Sequence, residues 1–200
     1  VEYESLVRSD EDSIAYLEGL AFSQINLASA LSLLSREEEQ QQSLGDAMSS
    51  LNMLLDAIPG VVEFRQSLGI AQASLGTSLN RHGYNVGAME QLEAAFGNLS
   101  DLYGETQHPD DLHLLAAISV RRAQVHRDID KEVLNILAVT ISAYELELVA
   151  NYPDNPTYLN GQDAARRQLA LLLYKMKKFE EAEAECDLAI GLVVEEAPAP

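Results

Sequence analysis

Tryptophan is absent from this chain of 200 residues, cysteine occurs once, and aromatic side chains make up only 6%. A single cysteine, Cys186, excludes an internal disulfide framework and fits a reducing compartment. Basic residues are scarce as well: 13 Lys and Arg stand against 32 Asp and Glu, a net charge of −19. That balance argues against nucleic acid and anionic membrane as partners and chiefly secures solubility. No apolar run approaches the roughly 20 residues that cross a bilayer, and the N-terminus carries no signal-peptide pattern. A cytoplasmic location is the expectation. No segment sustains an alternation of period two, so no sheet is expected.

What is present favours helix. Ala, Leu, Glu and Gln are abundant, residues that lose little on entering a helix, and the 47% hydrophobic content suffices for a packed core. The chain also repeats itself. Ala28, Gly76, Ala123 and Ala170 lie 48, 47 and 47 residues apart. Sixteen residues after each comes a medium-sized apolar side chain (Leu44, Leu92, Val139, Cys186), and nineteen after each a small one (Ala47, Ala95, Ser142, Ala189). Twelve before three of the four stands an aromatic: Tyr16, Phe64 and Tyr158. A fixed period in this range denotes stacked supersecondary units, a reading that points to binding more than to catalysis.

Each unit reads as two amphipathic helices, A and B, closed by breakers at Pro59-Gly60, His108-Pro109-Asp110 and Tyr152-Pro153-Asp154-Asn155-Pro156. Helices A are predicted at about 14–35, 64–81, 111–129 and 163–176, and helices B at about 36–58, 86–103, 131–151 and 179–193. Gly83 suits a left-handed helix-ending position, and Lys177-Lys178 makes the corresponding turn in the fourth unit. The small anchors let A and B cross closely. Leu27, Leu75 and Leu169, with Leu31, Leu79 and Leu173 three residues past the anchors, are expected to fill the space between them. In the third unit Arg122 and His126 take these places, which predicts looser packing. Leu6-Val7, Tyr16-Leu17 and Gly19 match Leu148-Val149, Tyr158-Leu159 and Gly161 at a spacing of 142, so residues 1–9 read as the tail of a preceding helix B. The chain begins with Val and reads as cut from a longer array. The Pro-rich end, 195–200, reads as a disordered tail.

A small residue, then large apolar, Ala, large apolar and Ala at 3, 12, 16 and 19 positions further on, resembles the tetratricopeptide repeat (TPR). Gly76, Leu79, Ala88, Leu92 and Ala95 fit, as do Ala170, Leu173, Ala182, Cys186 and Ala189. The first and third units look degenerate, with Gln40 and Asn135 where an alanine belongs. An ordinary TPR has about 34 residues, so these units are elongated, a form that resembles arrays in bacterial, planctomycete-type serine/threonine kinases and related signalling proteins. The resemblance spans about residues 10–194, with repeats near 14–58, 62–108, 110–152 and 157–193. It implies an all-α, right-handed α-α superhelix of about four hairpins and a non-catalytic module that binds a protein or peptide.

In that register the concave face carries Phe22, Ile25, Ser29 and Ser32; Ile70, Ala73, Thr77 and Asn80; Ala117, Val120, Gln124 and Arg127; and Ala164, Arg167, Leu171 and Tyr174. Thr77, Asn80, Arg81, Gln124, Arg127, Arg167, Leu171 and Tyr174 are the candidate partner-binding residues, Arg and Tyr being types favoured at hot spots. The helix A cores carry Arg81, Arg121, Arg122, Arg127, Arg166, Arg167 and Lys175 against Asp163, a charge of +6, with −25 elsewhere. A basic lining of that kind suits an acidic segment or a C-terminal carboxylate, which Arg grips bidentately. The competing reading pairs these Arg with Glu on neighbouring helices B. His82, His108, His113 and His126 lack metal-ligand spacing, and no metal or cofactor is expected. Cys186 falls on a core position and is expected to be buried and inert. Glu37-Glu38-Glu39 suits the first turn of a helix. No phosphate loop, nucleophile elbow or paired-carboxylate motif occurs. Homodimerisation through uncapped ends is the alternative function, and an enzyme using the groove the remoter one.

Overall fold

A computed structural model describes residues 11–126 and 131–194. The expectations for residues 1–10 and 195–200, and for Arg127, lie outside them. Every regular element among the described residues is helical: α1 (Glu11–Leu33), α2 (Glu37–Ala57), α3 (Val62–Arg81), α4 (Asn85–Thr106), α5 (Pro109–Val125), α6 (Lys131–Ala143), α7 (Pro156–Lys175) and α8 (Phe179–Val194). α6 runs on into a π-helical turn at Tyr144–Val149. The protein is all-α, made of the four expected helical hairpins, and falls into two compact units divided between Glu105 and Thr106.

The turn from A to B is the same device three times. Ser35, Gly83 and Lys177 all take the left-handed conformation, with φ of 54°, 78° and 63°. The next amide then reaches back to a carbonyl five residues earlier: Arg36 to Leu31 at 2.9 Å, Tyr84 to Leu79 at 3.0 Å, and Lys178 to Leu173 at 3.0 Å. Such turns satisfy carbonyls that the helix end leaves unpaired. α7 begins at Pro156, seven residues before its predicted core. Asn155 accepts a hydrogen bond from the Thr157 amide at 3.0 Å and Pro156 occupies the first turn, where its missing N–H costs nothing.

In the first unit α1, α2 and α3 share one core: Leu17, Ala21, Leu51 and Leu54 close on Phe64 and Leu68, and Ala28 and Leu44 close on Ala71. Leu75 packs against the second of these clusters, whereas Leu27 is 53% exposed. This corrects the expectation for Leu27 and Leu75. The leucine beside the anchor fills the gap between one hairpin and the A helix before it, and α1 has no such neighbour among the described residues. Gly76 does meet helix B closely: a Cβ placed there would lie 2.8 Å from Leu92 Cγ and 2.9 Å from the Ala88 carbonyl oxygen. The other three repeats carry alanine here, and alanine is the better helix former by about 1 kcal/mol. Gly76→Ala is nevertheless expected to destabilise, by about 1–2 kcal/mol net, because the backbone oxygen cannot rotate away. Urea unfolding decides it; a raised midpoint would refute the close approach.

The third hairpin, in the second unit, corrects the repeat register. Asn135 and Ser142 are exposed, and Val139 is 61% exposed. Val133, Leu137, Thr140 and Tyr144 are buried, with Ile141 beside them, and these four sit 45 residues after Ala88, Leu92, Ala95 and Leu99. The path from anchor to helix B is thus two residues shorter here: Val133 follows Ala123 by 10, where Ala88 follows Gly76 by 12. The π turn then adds one residue back, so that Leu148 is the next buried position after Tyr144. A constant offset cannot follow this shortening by two residues between Ala123 and Val133, so Asn135, Val139 and Ser142 fall off the buried face.

Candidate functional site

The predicted lining divides between the two units. In the first, Thr77 is half-buried and its hydroxyl donates to the Ala73 carbonyl at 2.8 Å. Asn80 is half-buried at the turn, its carbonyl taking the Gly83 amide at 3.0 Å. Arg81 is exposed and donates to Ser32 Oγ at 3.2 Å and Gln40 Oε1 at 3.4 Å, bracing α3 against α1 and α2. In the second unit Gln124 is exposed on α5. Ala73 and Val120, expected on the concave floor, are buried instead. Val120 packs with Ala165 and Leu172 of the following A helix, so the position three before the anchor belongs to the seam between hairpins.

Arg167, Leu171 and Tyr174 do come together. They form one wall of a groove of about 480 Å³ between α7 and α8, with Ala170 at its base and Phe179, Ala182, Glu183 and Cys186 opposite. Both walls follow from helical spacing: 167, 170, 171 and 174 on α7, and 179, 182, 183 and 186 on α8. Tyr174 and Phe179 meet edge to face across the turn, centroids 5.4 Å apart. Leu171, Tyr174 and Phe179 are all substantially exposed, leaving an apolar strip open to water. Cys186 is exposed too, which overturns the expectation of a buried thiol. Its counterparts Leu44 and Leu92 are covered; no described element covers Cys186.

Charge is arranged differently from the sequence expectation. Arg166 is buried between two carboxylates, donating to Glu185 Oε2 at 2.6 Å and to Glu145 Oε1. Arg167 is exposed and paired with Asp163 at 2.8 Å. Burial lowers the pKa of Arg121 from its ordinary value, against the opposing pull of the Tyr144 phenol. Arg166 is therefore held in an internal ion-pair network, and the competing reading holds for it, whereas Arg167 forms only an exposed pair within its own helix. Glu180, Glu183 and Asp187 stand exposed on α8 with no ion pair among the described residues.

A partly buried polar cluster in the same unit has no signature in the sequence pattern. The Tyr144 hydroxyl meets His113 Nδ1 at 3.0 Å, and the Tyr158 hydroxyl donates to Asp110 Oδ1 at 2.7 Å. His113 stacks against both rings at 5.6–5.8 Å. Burial pushes Tyr144 well above the ordinary phenol range, and burial with the Asp110 hydrogen bond pushes Tyr158 up to about 12. Burial lowers the His113 pKa against the opposing pull of Asp110. Asp111 is fully buried and accepts from Thr106 Oγ1 at 2.5 Å. Pro109-Asp110 is more than a breaker: the Asp110 carboxylate accepts the Tyr158 hydroxyl, 48 residues on, and ties α5 to α7.

No family model matches the chain, and no curated protein matches it. Among solved structures it is similar to a Podosopora anserina chain described as a kinesin light chain with nearly identical TPR-like repeats. The two share 15% identity over 88% of this chain and 96% of that one, with a TM-score of 0.46. The likeness is too distant to bear on function. The chain's own packing is TPR-like: Gly76 lies against Ala88 and Leu92, and A helices seat on the preceding hairpin in both units. No described helix is long and apolar enough to cross a membrane.

Proposed function

We propose that this chain is a non-catalytic protein-interaction module, and that its open α7–α8 groove receives an amphipathic helix. One observation carries the reading. The groove positions Ala170 and Cys186 correspond to Ala28 and Leu44, and in the first unit those two are covered by Ala71 of α3. The same repeat geometry that holds a helix inside the fold is thus presented empty-handed at α7–α8. Arg167, Leu171 and Tyr174 are the contact residues on one wall; Thr77, Asn80 and Arg81 on α3 remain a second candidate surface in the first unit, and Gln124 on α5 a separate candidate in the second. An acidic segment or free carboxylate is the weaker ligand class, since Arg166 is spent internally and Arg167 shares its charge with Asp163. The elongated repeat supports a place in a larger bacterial signalling or regulatory protein, and the exposed single thiol suits the cytoplasm.

Cys186 reports directly on occupancy, being the only cysteine and lying in the groove. A synthetic peptide of residues 62–81, the helix that fills the equivalent groove, is expected to slow alkylation of Cys186 by N-ethylmaleimide. Protection follows 1 + [L]/Kd, about tenfold at ten times the Kd. A shuffled peptide is expected to leave the rate alone. An unchanged rate with the ordered peptide at saturating concentration would sink the helix-groove reading.

A further inference from the structure

The groove has a matching helix elsewhere in the same chain. On α1, Tyr16, Leu20, Ser23 and Leu27 fall on one stripe with no charged member, and Tyr16 is 65% and Leu27 53% exposed. Their counterparts 48 residues on are Phe64, Leu68, Ala71 and Leu75 of α3, which pack into the hairpin α1–α2. Their counterparts 142 residues on are Tyr158, Gln162, Ala165 and Leu169 of α7, where Ala165 and Leu169 pack on Val120, Ala123, Val133 and Leu137 of the hairpin α5–α6. Tyr158 is only 3% exposed. The chain therefore forms one interface twice, an A-helix stripe seated on the preceding hairpin. The stripe on α1 and the receiving hairpin α7–α8 have no such partner among the described residues.

From this we infer that α1 of a second copy occupies the α7–α8 groove, joining chains head to tail. The inference rests on the reading of the groove as a helix receptor and names its occupant. Ser23 and Leu27 of one protomer take the places against Ala170 and Cys186 of its partner that Ala71 and Leu75 take against Ala28 and Leu44 of the first hairpin. The contact continues an interface the chain already makes, and the stripe brings no charge into the apolar strip. Each copy carries a net charge of −19, so the joint is opposed by repulsion between copies and strengthens as salt screens it. A heterologous contact of this kind leaves one stripe and one groove open at the ends, giving rings or open chains of copies.

Analytical ultracentrifugation of the chain at low and high salt tests it. The wild type is expected to show concentration-dependent self-association that increases with salt. Leu27→Glu spoils the stripe and Cys186→Glu the groove; both side chains are exposed, so both variants are expected to keep wild-type helicity and melting temperature. Each alone is expected to lose self-association. Mixed, they are expected to recover a 1:1 dimer, because one supplies an intact groove and the other an intact stripe. A wild type that stays monomeric at every salt overturns the inference, as does association that survives in either variant or a mixture that fails to pair. If Cys186 is protected by the peptide of residues 62–81 while the chain remains monomeric, the groove takes a helix but not α1, and only this inference falls. If neither occurs, both readings fall.

Discussion

Arg166→Ala is expected to cost the second unit about 3 kcal/mol and to open the groove along with it. The guanidinium is buried where α7 packs against both the π turn and α8, and it answers Glu145 on one side and Glu185 on the other. Burying an unpaired charge is expensive, and removing one partner of a buried pair costs about 3–5 kcal/mol. The lower end applies here, because the Glu145 and Glu185 side chains keep 39% and 21% of their exposure and water relieves part of the loss. Two carboxylates then face each other without the cation between them, so the defect is one of repulsion as well as lost hydrogen bonds. Pairing Arg166→Met with Glu185→Leu and Glu145→Gln removes the charges together and is expected to recover most of the stability, since apolar replacements of whole buried networks are often neutral. The functional readout follows from where α8 is anchored. Glu185 is the neighbour of Cys186, so freeing α8 should raise the alkylation rate of Cys186 and weaken peptide protection in Arg166→Ala more than in the triple variant. Urea unfolding with equal midpoints for Arg166→Ala and wild type would refute the staple.

The hairpins were legible because their punctuation is local. Pro59-Gly60, Pro109 and Pro153 to Pro156 mark where helices cannot continue, and Gly83 marks a left-handed turn; each acts through its own backbone. Ser35 and Lys177 adopt the same left-handed geometry without glycine, and only their spacing from Gly83 exposes it. The third helix B departs from the constant period: Asn135, Val139 and Ser142 sit where that period points, while a spacing from Ala123 shorter by two residues puts the seam at Val133, Leu137 and Thr140. Charge was the least legible. Arg166 and Arg167 are adjacent and chemically identical, yet one points into the hairpin and meets two glutamates while the other points outward to Asp163. Helical periodicity separates their faces by about 100°; which neighbours wait on each face depends on how successive hairpins pack. For the site, Arg167, Leu171 and Tyr174 were found by register alone. The groove's far wall was not, because Cys186 was given the buried environment of Leu44 and Leu92, and burial at that position depends on a further helix.

Gly161→Ala is the second substitution with a large expected effect, about 2–3 kcal/mol, and it acts through Tyr144. A Cβ at position 161 would lie 2.5 Å from Tyr144 Cζ and 2.6 Å from Cε1, with the hydroxyl oxygen nearer still. In the open, a tyrosine ring swings aside from such a contact at little cost. Tyr144 cannot, because it is fully buried, its hydroxyl meets His113 Nδ1, and the His113 ring packs edge-on against it. Displacing it breaks that hydrogen bond in a place water does not reach and leaves a void beside α5. Those losses exceed the gain of about 1 kcal/mol that alanine brings to a helix. The register explains why glycine is needed here. Tyr144 occupies the position of Leu99, and a ring in place of a leucine reaches farther toward the next A helix. Tyr144→Leu restores the side chain that the second hairpin uses and costs some stability itself through lost packing and the orphaned imidazole. Combined with Gly161→Ala it should nevertheless lose less than the two single changes together, with a favourable coupling of about 1–2 kcal/mol in a double-mutant cycle. Additive losses would mean that the glycine serves some purpose other than making room for the ring.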